Sequence, residues 1–137
     1  MKIRHILSIL LFAISQQANA ETVEWNSYQI HYTALNSMLI PADIAKAHNI
    51  VRSKRRIVTN VSVRKGDSAV AAKLVGRSIN LFGQIFNMKF DEVVETGAIY
   101  YLSNQLIDER DTLNFEILVS PEDSESAYNL KFRRQYF

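Results

Sequence analysis

Four cations fall within five positions of this chain: Arg52, Lys54, Arg55 and Arg56, with Ser53 among them. Side chains of that kind at that density suit anions, because a guanidinium offers a planar fork of N–H donors that matches the oxygens of a phosphate or carboxylate. Asn36 and Ser37 place short polar side chains at a turn-like position upstream and are the candidate neighbours of the cluster. Asn80 to Gln84 is a second polar segment, and Gly83 within it suits a left-handed backbone position. Residues of these types also close turns on nearby backbone, which is the structural reading of both segments. For the cluster, the competing reading is a solvated loop whose charges guard a hydrophobic strand against aggregation.

Catalytic chemistry finds fewer footholds. His31 and His48 are far apart in sequence and neither belongs to an HExxH pattern. The chain has no cysteine, which removes a thiol nucleophile, a CxxC redox pair and a cysteine zinc site. It also lacks a GxSxG elbow and a GxxxxGKS phosphate loop. Adjacent acids such as Asp91-Glu92 and Asp108-Glu109 face opposite sides of any strand that carries them. No catalytic residue, metal ligand or cofactor is assigned on this basis. A binding or accessory protein is the expected class, with a small enzyme of unfamiliar type and an outer-membrane-associated structural protein as the alternatives.

The N-terminus says where such binding takes place. Lys2, Arg4 and His5 form a positive region, Ile6 to Ile14 an apolar stretch, and Ala18-Asn19-Ala20 a small-residue cleavage site, the pattern of a secretory signal peptide. Cleavage is expected after Ala20, leaving residues 21–137 as a single periplasmic domain. The apolar stretch is less than half the roughly 20 residues that a spanning helix needs, and no later run is longer, so the processed chain is expected not to span a membrane. Lys2 and Arg4 leave with the leader, so the formal charge falls from +2 to zero, fourteen basic residues against fourteen acids. A neutral chain has no global field to attract nucleic acid. The expected partners are therefore an anionic envelope ligand, such as phosphate-bearing lipid or lipopolysaccharide, or an acidic envelope protein.

Period-two patterning dominates the rest. Tyr28, Ile30, Tyr32 and Ala34 form one apolar row; Phe86, Met88 and Phe90, then Leu113, Phe115, Ile117 and Val119, then Tyr128, Leu130 and Phe132 form others. Each predicts a strand with one face buried. Ile99 to Leu102 is apolar throughout, as a central strand would be. Trp25 breaks parity with Tyr28, which predicts a bulge at Asn26-Ser27. Lys65-Gly66-Asp67, between strand runs Val58 to Val63 and Val70 to Val75, and Thr96-Gly97, between Phe90 to Val94 and Ile99 to Leu102, read as hairpin turns. Pro41 suits the first position of a short helix that Asn49 could stop in a left-handed conformation. About seven strands joined by short turns predict an all-β, antiparallel β-sandwich, immunoglobulin-like in architecture, with one short helix. An outer-membrane barrel fits less well, because Phe137 is out of step with Tyr128, Leu130, Phe132 and Tyr136, and Arg133-Arg134 puts charge on both faces.

Several segments together resemble a family of exported proteins of Gram-negative bacteria known only as a domain of unknown function. They are Tyr28 to Tyr32 with Ala34, Asn36 and Ser37; Ile44-Ala45 with Ala47; Arg52-Ser53-Lys54; Asn60 to Val63; Asn80-Leu81 with Gly83-Gln84; and Ala98 to Leu102. The resemblance spans nearly all of the chain after the leader. It implies a periplasmic location and a compact β-sandwich, and it transfers no role to any position. Arg55-Arg56 makes this chain more basic at that point than the family pattern.

Charge is also lopsided. Ile44 to Phe90 holds ten basic residues and one acid, Asp67, while Asp91 to Glu125 holds ten acids and one base, Arg110. Either the halves pair across strands or they form two surface poles.

Overall fold

A computed structural model describes residues 20–108 and 110–137. The expected leader lies outside the described residues except for Ala20. The elements run β1 (Glu21–Trp25), β2 (Tyr28–Asn36), a 3-10 turn (Ser37–Leu39), α1 (Ala42–Ala47), β3 (Arg56–Lys65), β4 (Ser68–Val70), β5 (Ala72–Ile79), β6 (Ile85–Met88), β7 (Asp91–Glu95), β8 (Ala98–Leu106), β9 (Asp111–Pro121) and β10 (Tyr128–Tyr136). All pairing is antiparallel. One sheet has the order β1-β2-β3-β8-β7 with β4 on β3, and the other has the order β10-β9-β5-β6. The fold is the expected sandwich.

Its core follows the apolar rows. Tyr28, Ile30, Val61 and Val63 of the larger sheet pack against Ile117, Val119 and Leu130 of the smaller, with Phe115 and Leu113 continuing the layer. The larger sheet is covered on its other face as well. Ile40, Ile44, Ala45 and Ile50, from α1 and its flanks, bury Leu35, Val58, Tyr100 and Leu102. That second layer is why β2 is buried at four successive positions from Tyr32 to Leu35, and why Tyr100 to Leu102 is apolar on both faces.

Three local expectations are corrected. Asn26 and Ser27 both have positive φ, 47° and 68°, and join β1 to β2 as a two-residue hairpin rather than a bulge. Trp25 and Tyr28 are then cross-strand partners on the same face, which accounts for their opposite parity, and their rings stack at 5.7 Å. Val70 to Val75 is two strands, not one. The chain leaves the larger sheet after Val70 and enters the smaller at Ala72, and the Tyr101 hydroxyl accepts from the Ala72 N–H at 2.8 Å to pin the crossing. The row through Phe90 ends at Met88, and Phe86 is exposed. Among the described residues ten strands therefore stand where about seven were expected.

Two glycines carry specific loads. Gly97, at φ 76°, turns β7 into β8. Gly76 lies under Ile117, where an added Cβ would come within 3.0 Å of the Ile117 side chain.

Candidate functional site

The basic segment leaves α1 through Asn49, whose φ of 56° reverses the chain so that the Ile50 N–H reaches the Ala45 carbonyl at 2.8 Å. Asn36 and Ser37 do meet this segment, as its scaffold. The fully buried Ser37 hydroxyl donates to the Ser53 carbonyl and accepts from the Ser53 N–H, both at 2.9 Å. The Asn36 amide donates to the Lys54 carbonyl at 2.7 Å, while its oxygen caps the 3-10 turn by accepting from the Met38 N–H at 2.9 Å. These bonds satisfy backbone groups that the loop would otherwise leave unpaired.

With the backbone fixed, the four cations diverge. Arg52 donates to the Met38 carbonyl at 3.0 Å. Lys54 is exposed. Arg55 donates through Nε to the Ile107 carbonyl at 2.9 Å and lies 3.9 Å from the Asp108 carboxylate. Arg56 opens β3 and donates to the Asn104 side chain of β8 at 2.6 Å. The sequence cluster therefore splits between two surfaces. One lies beside α1, where Arg52 and Lys46 border a shallow depression floored by Ala42, Ala45 and Ile50. Met38, Leu39 and Val51 stand exposed there, at 44%, 61% and 67%.

The other surface is a cleft of about 200 Å³ between the end of β8 and the β5–β6 hairpin. Its floor is the buried bond from the Ser78 hydroxyl to the Gln105 side-chain oxygen, 2.8 Å. Arg55, Asp108 and Asp111 stand at its rim, with Phe86 and Leu106 as apolar walls. Asn80 and Gln84 reach the cleft too, but Asn80 is occupied with its own turn: its oxygen accepts from the N–H groups of Phe82 and Gln84, and its amide donates to the Gln84 side chain. Ser78 and Gln105 were missed in the sequence. The available signal was a polar residue on the inward parity of an otherwise apolar strand.

The histidines have separate partners. His31 Nδ1 lies 2.8 Å from the Thr22 hydroxyl on β1, and burial, followed by the Arg64 charge, lowers its pKa. His48 caps the end of α1. Burial lowers its pKa against the opposing pull of Glu95, and Nε2 of His48 and one Glu95 oxygen are both buried without a hydrogen-bond partner. Among the described residues no group of three His, Asp or Glu side chains is placed to hold a metal. Among the described residues three ion pairs join the basic half of the chain to the acidic half: Arg55–Asp108, Lys65–Asp123 and Arg77–Glu116.

The family model for a domain of unknown function, DUF4426, matches residues 22–137, nearly the whole described chain. The chain belongs to the DUF4426 family. The crystal structure of a DUF4426 family protein from Pseudomonas aeruginosa PAO1 is similar at 31% identity and a TM-score of 0.76, over 88% of this chain and 96% of that one. FetP of uropathogenic Escherichia coli strain F11 shares the fold at much lower identity. A copper-bound variant of it matches at 9% identity and a TM-score of 0.60, over 85% of this chain and 93% of that one. The as-isolated protein, expressed in the periplasm, matches at 11% and 0.56, over 85% and 92%. No curated protein matches the DUF4426 chain. No described helix is long and apolar enough to cross a membrane.

Proposed function

We propose that this DUF4426 protein is a non-enzymatic binding or accessory module of the periplasm that docks on a phosphate-bearing lipid surface through the loop after α1. The export pattern at residues 1–20 supports the compartment, as does the periplasmic expression of the FetP neighbour. One contact carries the docking reading: the Arg52 guanidinium is held on the Met38 carbonyl, beside the exposed Met38 and Leu39 side chains. Cations next to exposed apolar groups suit the boundary between phosphate headgroups and acyl chains, where each group finds its own solvent. Lys46, Arg52 and Lys54 supply the charge. At about 1 kcal/mol per cation near an anionic leaflet they contribute about 3 kcal/mol together, close to two tenfold steps in affinity. Attraction of that size needs the apolar contact of Met38, Leu39 and Val51 to hold the protein in place. The copper of the FetP variant is not carried over, because identity of 9% conveys the fold alone.

Co-sedimentation with phosphatidylglycerol-containing vesicles, across a salt series, tests this. Binding should weaken steeply with salt. It should fall by about tenfold or more in the triple variant Lys46→Ala, Arg52→Ala, Lys54→Ala, and again in Leu39→Ser with Val51→Ser. Equal sedimentation of the parent and the triple variant would remove the proposal.

A further inference from the structure

We propose that the cleft between β8 and the β5–β6 hairpin binds a small zwitterion, an α-amino carboxylate with an apolar side chain. This site is separate from the lipid-docking surface and uses Arg55, which turns away from that surface, as Arg56 does. Three features of the cleft point to that chemistry.

The first is the state of Arg55. Its Nε–H is committed to the Ile107 carbonyl at 2.9 Å, which fixes the plane of the guanidinium at the rim. The terminal nitrogens are not closed by a tight ion pair, since the Asp108 oxygen is 3.9 Å away, beyond hydrogen-bond length. A ligand carboxylate can enter there and take the two-pronged contact that Asp108 does not make.

The second is the sign of the rim. Among the described residues Asp108 and Asp111 stand at the rim against one cation, Arg55, so a simple anion would meet the repulsion of two carboxylates. A ligand carrying an ammonium close to its carboxylate satisfies both signs at once. Asp111 accepts from the Thr112 N–H through one oxygen at 2.8 Å and has its second oxygen for the ammonium.

The third is the floor and walls. The Ser78–Gln105 bond occupies the Gln105 carbonyl and leaves its NH2 group to donate. Phe86 and Leu106 offer apolar surface to a side chain at the mouth. At about 30 Å³ per water, 200 Å³ corresponds to about seven waters, room for a small amino acid but not for a folded segment. A free amino acid and the end of a short peptide share this chemistry.

Titration of the 15N-labelled protein with L-leucine, N-acetyl-leucine, leucine amide and leucyl-leucine, without any lipid, tests the site. L-Leucine should give saturating shifts at Ser78, Gln105 and Thr112. N-acetyl-leucine, which lacks the ammonium, and leucine amide, which lacks the carboxylate, should each bind about tenfold more weakly or worse. Tighter binding of leucyl-leucine would identify a peptide end as the occupant, and weaker binding a free amino acid. Arg55→Ala should abolish saturation. Because Arg55 also ties down Ile107, the Asp108→Asn and Asp111→Asn variants serve as checks that leave that bond intact, and together they should weaken leucine by about tenfold. Failure of leucine to saturate by about 10 mM, or equal binding of the blocked analogues, overturns the proposal. Neither result bears on vesicle docking.

Discussion

At one edge of the sandwich Arg134 of β10 donates to Glu21 of β1 at 2.8 Å, and Glu21 in turn accepts from the Tyr32 hydroxyl at 2.7 Å. Trp25 meets Tyr128 there, Phe132 lies between Tyr32 and Phe115 at ring separations of 4.7 Å, and Tyr136 donates to the Ala34 carbonyl at 2.9 Å. Every one of these contacts except the stack of Phe132 on Phe115 ties one sheet to the other or closes the β1 edge on β2. At the opposite edge, β6 and β7 are joined by the two residues Lys89 and Phe90, and beyond the far end of β6 the sheets separate into the cleft. Leu81, Phe82, Ile85, Phe86 and Leu106 are exposed in that region. Both edges use aromatic residues and arginine. The difference is whether those groups meet across the gap, and it divides the molecule into a side that holds the fold and a side that offers surface.

The contrast breaks most sharply under truncation of matched aromatics. Phe132→Ala at the closed edge should cost about 3 kcal/mol in urea unfolding, because a ring packed between two others leaves a cavity. Phe82→Ala, at a position 84% exposed, should cost no more than about 0.5 kcal/mol. Comparable losses would show that the open edge also holds the fold.

Next in size is the polar closure. Glu21→Ala removes the acceptor of both Tyr32 and Arg134, whose side chain is only 18% exposed, and should cost about 1 to 2 kcal/mol. Asp108→Asn removes a long, exposed pair and should change the unfolding free energy by less than about 0.5 kcal/mol.

Titration sharpens the same division. Burial and the Glu21 hydrogen bond push the Tyr32 phenol up to about 12, and burial pushes the Tyr136 phenol up as well. Both stay neutral in the fold when the unfolded chain begins to ionise, so stability should fall as pH rises above about 10. Tyr32→Phe should reduce that alkaline loss. Burial shifts His48, on the β7 side, the other way, so the unfolded chain takes up its proton first and stability should fall as pH drops below about 6.5. Melting temperatures of the parent and of His48→Leu between pH 7 and 5 check this, the variant showing the shallower slope. His31, also shifted down by burial, contributes in the same direction.

Much of the fold was legible because strands write their pairing into local alternation. The rows from Tyr28, Leu113 and Tyr128, the turns at Gly66 and Gly97, and the left-handed stop at Asn49 all stand where the residues put them. The Asn26-Ser27 hairpin was harder to read, since it lacks the glycine that marks most such turns. The sheet crossing at Ala71 left no signal either, because the apolar run continues through it while its partners change. At the site, the arginine cluster was visible as charge and Asn36 and Ser37 as its neighbours. That they bond backbone was their structural reading, but that the backbone belongs to Ser53 and Lys54, and that Ser78 and Gln105 form the floor of the cleft, was not visible.

By itself the sequence determined the strands, most of the turns and the supply of charge, since side-chain alternation and backbone preference act over a few residues. Only the tertiary structure decided where each arginine went. Residues 52 to 56 lie side by side in the chain, yet Arg52 meets the 3-10 turn, Arg55 meets the β8–β9 connection and Arg56 meets β8. Those partners are set by sheet order and register, which depend on pairings between residues up to about fifty positions apart, and no local pattern of side chains encodes such distances.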